Sequence, residues 1–349
     1  MGYLDFAHGG NIYEVRRKYK KEIIDFSANI NPLGLPERIK ENIINNFNRI
    51  LHYPDLQAEK LTEKLGSYWK IDKENILLGN GSIELIYLIF SAFKPKSTFI
   101  PVPTFSEYER AARSANSKVQ FLRLKEKDNF NLPERIDAGG ADIFFLCNPN
   151  NPTGNLILQK QRADNLAKLT VIDETFMDFL PDQAAHSLIG EAPKNKKIIV
   201  LRSFTKFFAL PGLRIGYLIA HKDTVMRLRK YQLPWSVNTF AQMAAELALD
   251  NEAYAQKTNC LIKRERSFLF REIAKINRLS PYPSRANFIL IKINDKEINS
   301  SLLKERLIEK GILVRDCANF RGLSGKFIRI AVRARGENQR LIQALGRVI

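Results

Sequence analysis

Seven short apolar runs, three of them rich in β-branched residues, punctuate the first two thirds of the chain. They are Ile76–Leu78, Thr98–Val102, Val119–Leu124, Ile143–Cys147, Leu169–Ile172, Ile198–Leu201 and Ile215–Ala220. Runs of this length, bounded by turn-forming residues, read as buried strands. Several are separated by helix-length stretches. A helix is expected over Pro36–Ile50, where Ile39, Ile43, Ile44 and Phe47 recur at helical spacing, and a second over about Gln57–Trp69. This alternation predicts an α/β unit on a seven-stranded, mostly parallel sheet covered on both faces.

After Val237 the pattern changes. A long helical region, roughly 239–277 and broken near Asn251, precedes strands at Asn287–Ile293, Ile312–Cys317 and Phe327–Val332, with helices over Asn299–Lys310 and from about Glu337. A large unit over 36–237 and a smaller α+β unit over 238–349 are therefore expected. Residues 1–35 show little periodicity. His8-Gly9-Gly10-Asn11 and Asp25-Phe26-Ser27-Ala28-Asn29-Ile30-Asn31-Pro32-Leu33-Gly34 are turn-rich and polar, which suits an arm laid over a site; a plain surface arm is the alternative.

Composition narrows the class. With 349 residues the chain is long for one small core, and 45% hydrophobic with 26% charged residues describes a soluble globular protein. No apolar run reaches membrane-span length, and MGYLDFAHGGN lacks the layout of a secretory signal. Cys147, Cys260 and Cys317 form neither a metal-ligand pattern nor a disulfide framework, so a reducing cytoplasm is expected. The net charge of +18 is spread along the chain without zinc-finger spacing, RNP-type aromatics or Arg/Gly repeats. It is read as attraction of small anions into a cleft, with no nucleic-acid partner.

Ligands in such sheets bind beyond the carboxyl ends of the strands, and the chemistry-bearing residues cluster there. Ile76–Leu78 leads into Gly79-Asn80-Gly81-Ser82 and then a helix, an arrangement that presents free N–H groups to an anion, although it matches neither the P-loop nor the dinucleotide fingerprint. Ile198–Leu201 leads into Ser203-Phe204-Thr205-Lys206, with Arg214 eight residues on. Lys206 is either a loop charge beside a strand or a desolvated, nucleophilic amine of the Schiff-base type. Asp173, at the end of Leu169–Ile172, is either a helix cap or the partner of a protonated ring nitrogen. Asn151, in Cys147-Asn148-Pro149-Asn150-Asn151-Pro152-Thr153-Gly154, either shapes a rigid turn or points its amide at a ligand.

Taken together, PNNPTG, SFTK and GLRIGY resemble the fold-type-I pyridoxal-phosphate enzymes of the class I/II aminotransferase group, over nearly the whole chain. Within it HGGN, DFSANINPLG, PWSVN, RANF and RDCANFRGL are similar to the threonine-phosphate decarboxylase family of cobalamin biosynthesis, whose near relatives are the histidinol-phosphate aminotransferases. The resemblance implies that Lys206 links to the cofactor aldehyde and Asp173 pairs with the pyridine nitrogen. It implies that Asn151 meets the phenolic oxygen and Phe105 stacks on the ring. Gly81, Ser82, Ser203 and Arg214 would hold the phosphate, joined by Tyr53 from the other subunit of a homodimer. Substrate contacts would fall on His8, Gly9, Asn29, Asn151, Arg315 and Arg329, and two arginines suit a small amino-acid phosphate with two anionic ends. Three positions depart from the aminotransferase pattern. Phe176 stands where many aminotransferases carry a tyrosine, Ile30 where a glutamate is usual, and Ile83 follows Ser82 where an acid is often found. The expected reaction is decarboxylation of threonine phosphate to aminopropanol phosphate, with amino transfer on histidinol phosphate as the alternative. The choice would lie in which bond at Cα is held perpendicular to the cofactor ring.

Overall fold

The computed structural model describes residues 8–163 and 166–349, so the first seven residues of the expected arm lie outside the described residues. Among the described residues the large sheet contains β2 (Ile76–Gly79), β3 (Ser97–Val102), β4 (Lys118–Arg123), β5 (Ile143–Cys147), β6 (Leu169–Asp173), β7 (Ile198–Ser203) and β8 (Gly216–Ala220), after a short β1 (Ile24–Asp25). Their order is β2-β8-β7-β6-β5-β3-β4, and only β8 runs antiparallel to its neighbours. All residues of β2, β5, β6, β7 and β8 are buried, as the unbroken apolar runs require. The edge strand β4 is half exposed and carries Lys118 and Arg123 at its ends, which discourages further strand pairing.

The smaller sheet is antiparallel, in the order β12 (Arg315–Asp316), β13 (Phe327–Ala331), β10 (Phe288–Ile293), β9 (Leu279–Pro281). Here the expected strand over Ile312–Cys317 divides. Ile312–Leu313 (β11) pairs parallel with β1, and only Arg315–Asp316 joins β13. The N-terminal segment is thereby sewn to the small sheet: Phe26 N–H donates to Leu313 and Ala331 N–H donates to the Phe26 carbonyl, both at 2.8 Å. The expected helix over Pro36–Ile50 also divides, into Glu37–Asn45 and a 3₁₀ turn over Phe47–Leu51. Helix Thr239–Leu249, expected with the C-terminal unit, packs against helices Glu37–Asn45 and Glu59–Trp69. The long helix Glu252–Ala274 packs on β9 and β10. Among the described residues no helix is long and apolar enough to cross a membrane.

Candidate active site

A cleft of about 190 Å³ opens at the carboxyl ends of β5, β6 and β7, between the two sheets. Its lining includes His8, Gly9, Asn29, Ser82, Phe105, Asn151, Asp173, Phe176, Thr205, Lys206, Arg214, Arg315 and Arg329. Most residues singled out in the sequence thus meet in one place, from segments as far apart in the chain as His8 and Arg329.

Lys206 lies in the one-turn helix Phe204–Phe207 directly after β7. The turn is held in place from the arm: Asn31 N–H donates to the Lys206 carbonyl at 3.0 Å, and its side-chain amide donates to Phe207 and Thr258, each at 2.7 Å. Burial lowers the Lys206 ammonium to a pKa of about 8, helped by the positive charges of Arg329 and Arg214. Asp173 ends β6, where its carboxylate accepts from the Tyr108 hydroxyl at 2.7 Å and the Thr175 N–H at 2.9 Å. Burial nevertheless raises its pKa, outweighing those two donors. A cationic partner in the cleft would reverse that shift.

The anion cradle is steric as well as electrostatic. Gly81 has φ +74, and a Cβ there would stand 2.6 Å from the Arg214 guanidinium, so only glycine lets the arginine close over the start of helix Gly81–Phe93. Ser82 lies on the same turn and lines the cleft. Ser203 is placed differently from expectation. Its hydroxyl caps the Phe204–Phe207 turn, accepting from Thr205 N–H at 3.2 Å and pairing with the Thr205 hydroxyl at 2.8 Å, and Thr205 rather than Ser203 lines the cleft. Tyr53 is 80% exposed, stacks on Trp235 at 4.7 Å, and stands outside this chain's cleft.

The opposite wall comes from the small sheet. Arg315 and Arg329 are directly paired across β12 and β13, and both are buried. Arg329 donates to the Asn151 side-chain oxygen and, at 2.8 Å, to the Ser27 carbonyl. Arg315 donates to the Asp316 carbonyl and, at 2.8 Å, to Asn319, with its guanidinium 4.9 Å from the Phe320 ring. Burial brings Arg329 down to a pKa of about 10, with the positive charge of Arg315 adding to the effect. Gly9 is required at close quarters, because a side chain there would run into the Ser27 carbonyl.

Three buried polar atoms of the cleft have no partner: Asn29 Oδ1, Thr175 Oγ1 and Arg329 Nε. Orphaned buried groups at this density mark a place built for a ligand. An ionisable ring partner (Asp173), a desolvated amine (Lys206), a phosphate cradle (Gly81, Ser82, Arg214) and a flat ring (Phe105) fit pyridoxal phosphate. No cluster of metal-ligating side chains occurs among the described residues.

The sequence reading did not single out Tyr108, Glu107, Thr175 or Thr205. Tyr108 had a local signal, since it follows Phe105 by three residues at a helix start and so shares its face. Tyr108→Phe is expected to weaken retention of the cofactor roughly tenfold or more, because a hydrogen bond to a charged group is lost from a buried carboxylate. Fluorescence titration of the apoprotein measures this.

The chain matches the profile described as aminotransferase class I and II over residues 21–348. It is 38% identical to the threonine-phosphate decarboxylase of Salmonella typhimurium, over 100% of this chain and 98% of that protein. Two crystal structures superpose with TM-scores of 0.84. The histidinol-phosphate aminotransferase of Clostridium acetobutylicum is 32% identical, over 93% of this chain and 98% of that one. The L-threonine-O-3-phosphate decarboxylase of Porphyromonas gingivalis is 28% identical, over 92% and 97%. A profile match across nearly the full length, with the lysine, aspartate and arginine positions gathered in one cleft, is decisive: the chain belongs to the class I and II aminotransferase family.

Proposed function

We propose that this protein is a pyridoxal-phosphate-dependent carboxy-lyase that converts L-threonine O-3-phosphate to (R)-1-amino-2-propanol O-2-phosphate for assembly of the cobalamin nucleotide loop. The observation that carries this reading is the placement of Arg315 and Arg329 side by side in the cleft, facing Lys206, with His8 at the rim. A substrate with a carboxylate and a phosphate needs two cationic anchors, and two arginines paired across adjacent strands supply them. The wall residue Phe176 brings no hydroxyl to the cleft, in keeping with a decarboxylase.

Pyridoxal phosphate supplies the electron sink for the pair left at Cα when carbon dioxide departs. The chain does the rest. Gly81, Ser82 and Arg214 would hold the cofactor phosphate, Phe105 would lie against the ring, and Asp173 would keep the ring nitrogen protonated. Lys206, partly neutral near pH 8, would supply the nucleophilic amine that holds the cofactor, and its Nζ would return the proton that Cα requires. Arg315, Arg329, Asn29, Asn151 and His8 would hold the substrate's two anionic ends and so select which bond at Cα is presented for cleavage.

The acting form in this proposal is a cytoplasmic homodimer. Ile44, Phe47, Ile50, Leu51, Leu233 and Trp235 are exposed, Trp235 stacked on Tyr53, and a second copy would cover such apolar side chains while bringing Tyr53 to its neighbour's phosphate cradle. Cys147 and Cys317 are buried free thiols, in keeping with a reducing compartment.

The test is a substrate panel with the purified holoenzyme. Carbon dioxide release from L-threonine O-3-phosphate without 2-oxoglutarate is expected. Transfer of the amino group from histidinol phosphate to 2-oxoglutarate, with no carbon dioxide from threonine phosphate, overturns the assignment.

A further inference from the structure

Two carboxylates outside the catalytic set sit two residues apart on helix Glu107–Ser114, the helix that follows Phe105. Residues spaced by two on a helix point to nearly opposite sides. Glu107 faces inward, and its side chain is only 5% exposed. One oxygen accepts from His8 Nε2 at 2.8 Å and the other from the Tyr87 hydroxyl at 2.9 Å, while Arg110 stands 3.7 Å away. Glu109 faces the other way. It accepts a two-pronged contact from Arg321, at 2.8 and 3.0 Å, and a bond from Arg113 at 2.8 Å.

Each acid fastens a different covering segment. His8 belongs to the N-terminal arm, which is sewn to the small sheet through β1 and β11. Arg321 belongs to the 317–326 loop between β12 and β13. That loop is pressed on the large unit: at Gly322, φ +91, an added Cβ would stand 3.3 Å from Pro103 N, and the Arg321 guanidinium lies 4.4 Å from the Phe121 ring. The same loop carries Asn319 and Phe320, which hold Arg315 by a hydrogen bond and by stacking. A continuous path therefore runs from Glu109 through Arg321 and the loop to the Arg315 guanidinium.

We propose that Glu107 and Glu109 are positioning residues that set the enzyme's affinity for its anionic substrate, by fastening His8 on one side of the cleft and the loop that braces Arg315 on the other. Neither touches the reacting atoms. Both carboxyls are held below the ordinary glutamate range, Glu107 by His8 and Tyr87 and Glu109 by Arg321 and Arg113, in each case against the effect of burial, so both carboxylates are ionised near neutral pH. Coupling carried through contacts of this kind amounts to roughly 2- to 30-fold in affinity.

This inference rests on the decarboxylase reading for its substrate, and the measurement is arranged so that the two fail separately. Glu107→Gln, Glu109→Gln and Arg321→Gln holoenzymes are compared with the parent by steady-state kinetics on L-threonine O-3-phosphate and by calorimetric titration with inorganic phosphate. Expected are a KM raised roughly 2- to 30-fold, a kcat within about twofold of the parent, an unchanged cofactor absorbance band, and phosphate binding weakened in parallel. Arg321 is half exposed, so Arg321→Gln tests the outer tie even if a glutamate variant does not fold. Glu107→Gln combined with Arg321→Gln is expected to multiply the two effects, because the ties hold separate segments. An unchanged KM and phosphate affinity in folded variants overturns the proposal, as does a fall in kcat at constant KM. If the parent does not decarboxylate threonine phosphate, the substrate reading fails alone, and the phosphate titration still decides the role of the ties.

Discussion

Lys206→Ala is expected to lower carbon dioxide release from threonine phosphate by at least about 10³-fold, because in the proposed reaction one residue supplies both the nucleophilic amine and the returning proton. The variant should fold normally. Lys206 is half-buried on a one-turn helix whose cap, Ser203 to Thr205, does not involve its side chain. Its absorbance spectrum should lack the visible band of the lysine-linked cofactor and resemble that of free pyridoxal phosphate. The parent protein carries a matching pH signature. With the ammonium at about pKa 8, the neutral fraction rises about tenfold per pH unit below that value and levels off above it. Reaction of the apoprotein with pyridoxal phosphate should therefore accelerate as pH rises from 6 to about 8 and then plateau. A rate still climbing toward about pH 10.5, the pKa of an ordinary lysine, would falsify the claim that burial and the two arginines activate this amine.

Arg202→Met is expected to destabilise the fold by about 3–5 kcal/mol, with the largest effect on stability of any single change considered. Arg202 has no exposed surface, yet it is a cation at the end of β7. It donates to Glu174 at 3.0 Å, Asp178 at 2.8 Å, Gln183 at 3.1 Å and Ser187 at 3.0 Å, and it lies 5.1 Å from the Trp69 ring. Methionine fills much of the volume but leaves two buried carboxylates without their cation. Burial already raises the pKa of both Glu174 and Asp178 while Arg202 opposes the shift, so its removal raises them further. A carboxyl whose folded pKa lies above its unfolded one is penalised once pH exceeds the unfolded value, and the penalty grows until the folded pKa is reached. The destabilisation should therefore be larger at pH 8 than at pH 5. Denaturant unfolding at both pH values checks the sign. Adding Glu174→Gln and Asp178→Asn to Arg202→Met should restore part of the loss, since no uncompensated charge remains. This network ties together the residues that follow Asp173 and precede Ser203, so activity at 25 °C should fall with stability rather than independently of it.

Most strands of the large sheet were legible because each carries a run of apolar residues, which burial on both faces of a largely parallel sheet demands, whereas the edge strand β4 mixes polar and apolar positions. The turns at Gly81, Asn151 and Lys206 were legible for a related reason: small or polar residues interrupt apolar runs only where the backbone must do something else. Ser203 and Thr205 were not separable by such reasoning. They are alike in chemistry and two positions apart, and which of them caps the turn is decided by the extended conformation of Ser203 at the end of β7. The strand expected over Ile312–Cys317 divided because its two halves find partners in different sheets, at Ile24 and at Arg329, and no local periodicity records a partner so distant in sequence.

Local sequence by itself determined the α/β class, the alternation that builds the large sheet, and the residue types that suit a pyridoxal-phosphate site, because each is written in spacings of two to four residues and in short motifs. Tertiary structure alone decided that Tyr108 restrains Asp173, that Arg202 lies buried between two acids, and that His8 and Arg321 are tied to neighbouring glutamates of one helix. Those contacts join residues from 24 to 212 positions apart. They arise only when chain folding brings separate elements together, where burial makes each charge depend on a partner that its own neighbourhood in the sequence cannot specify.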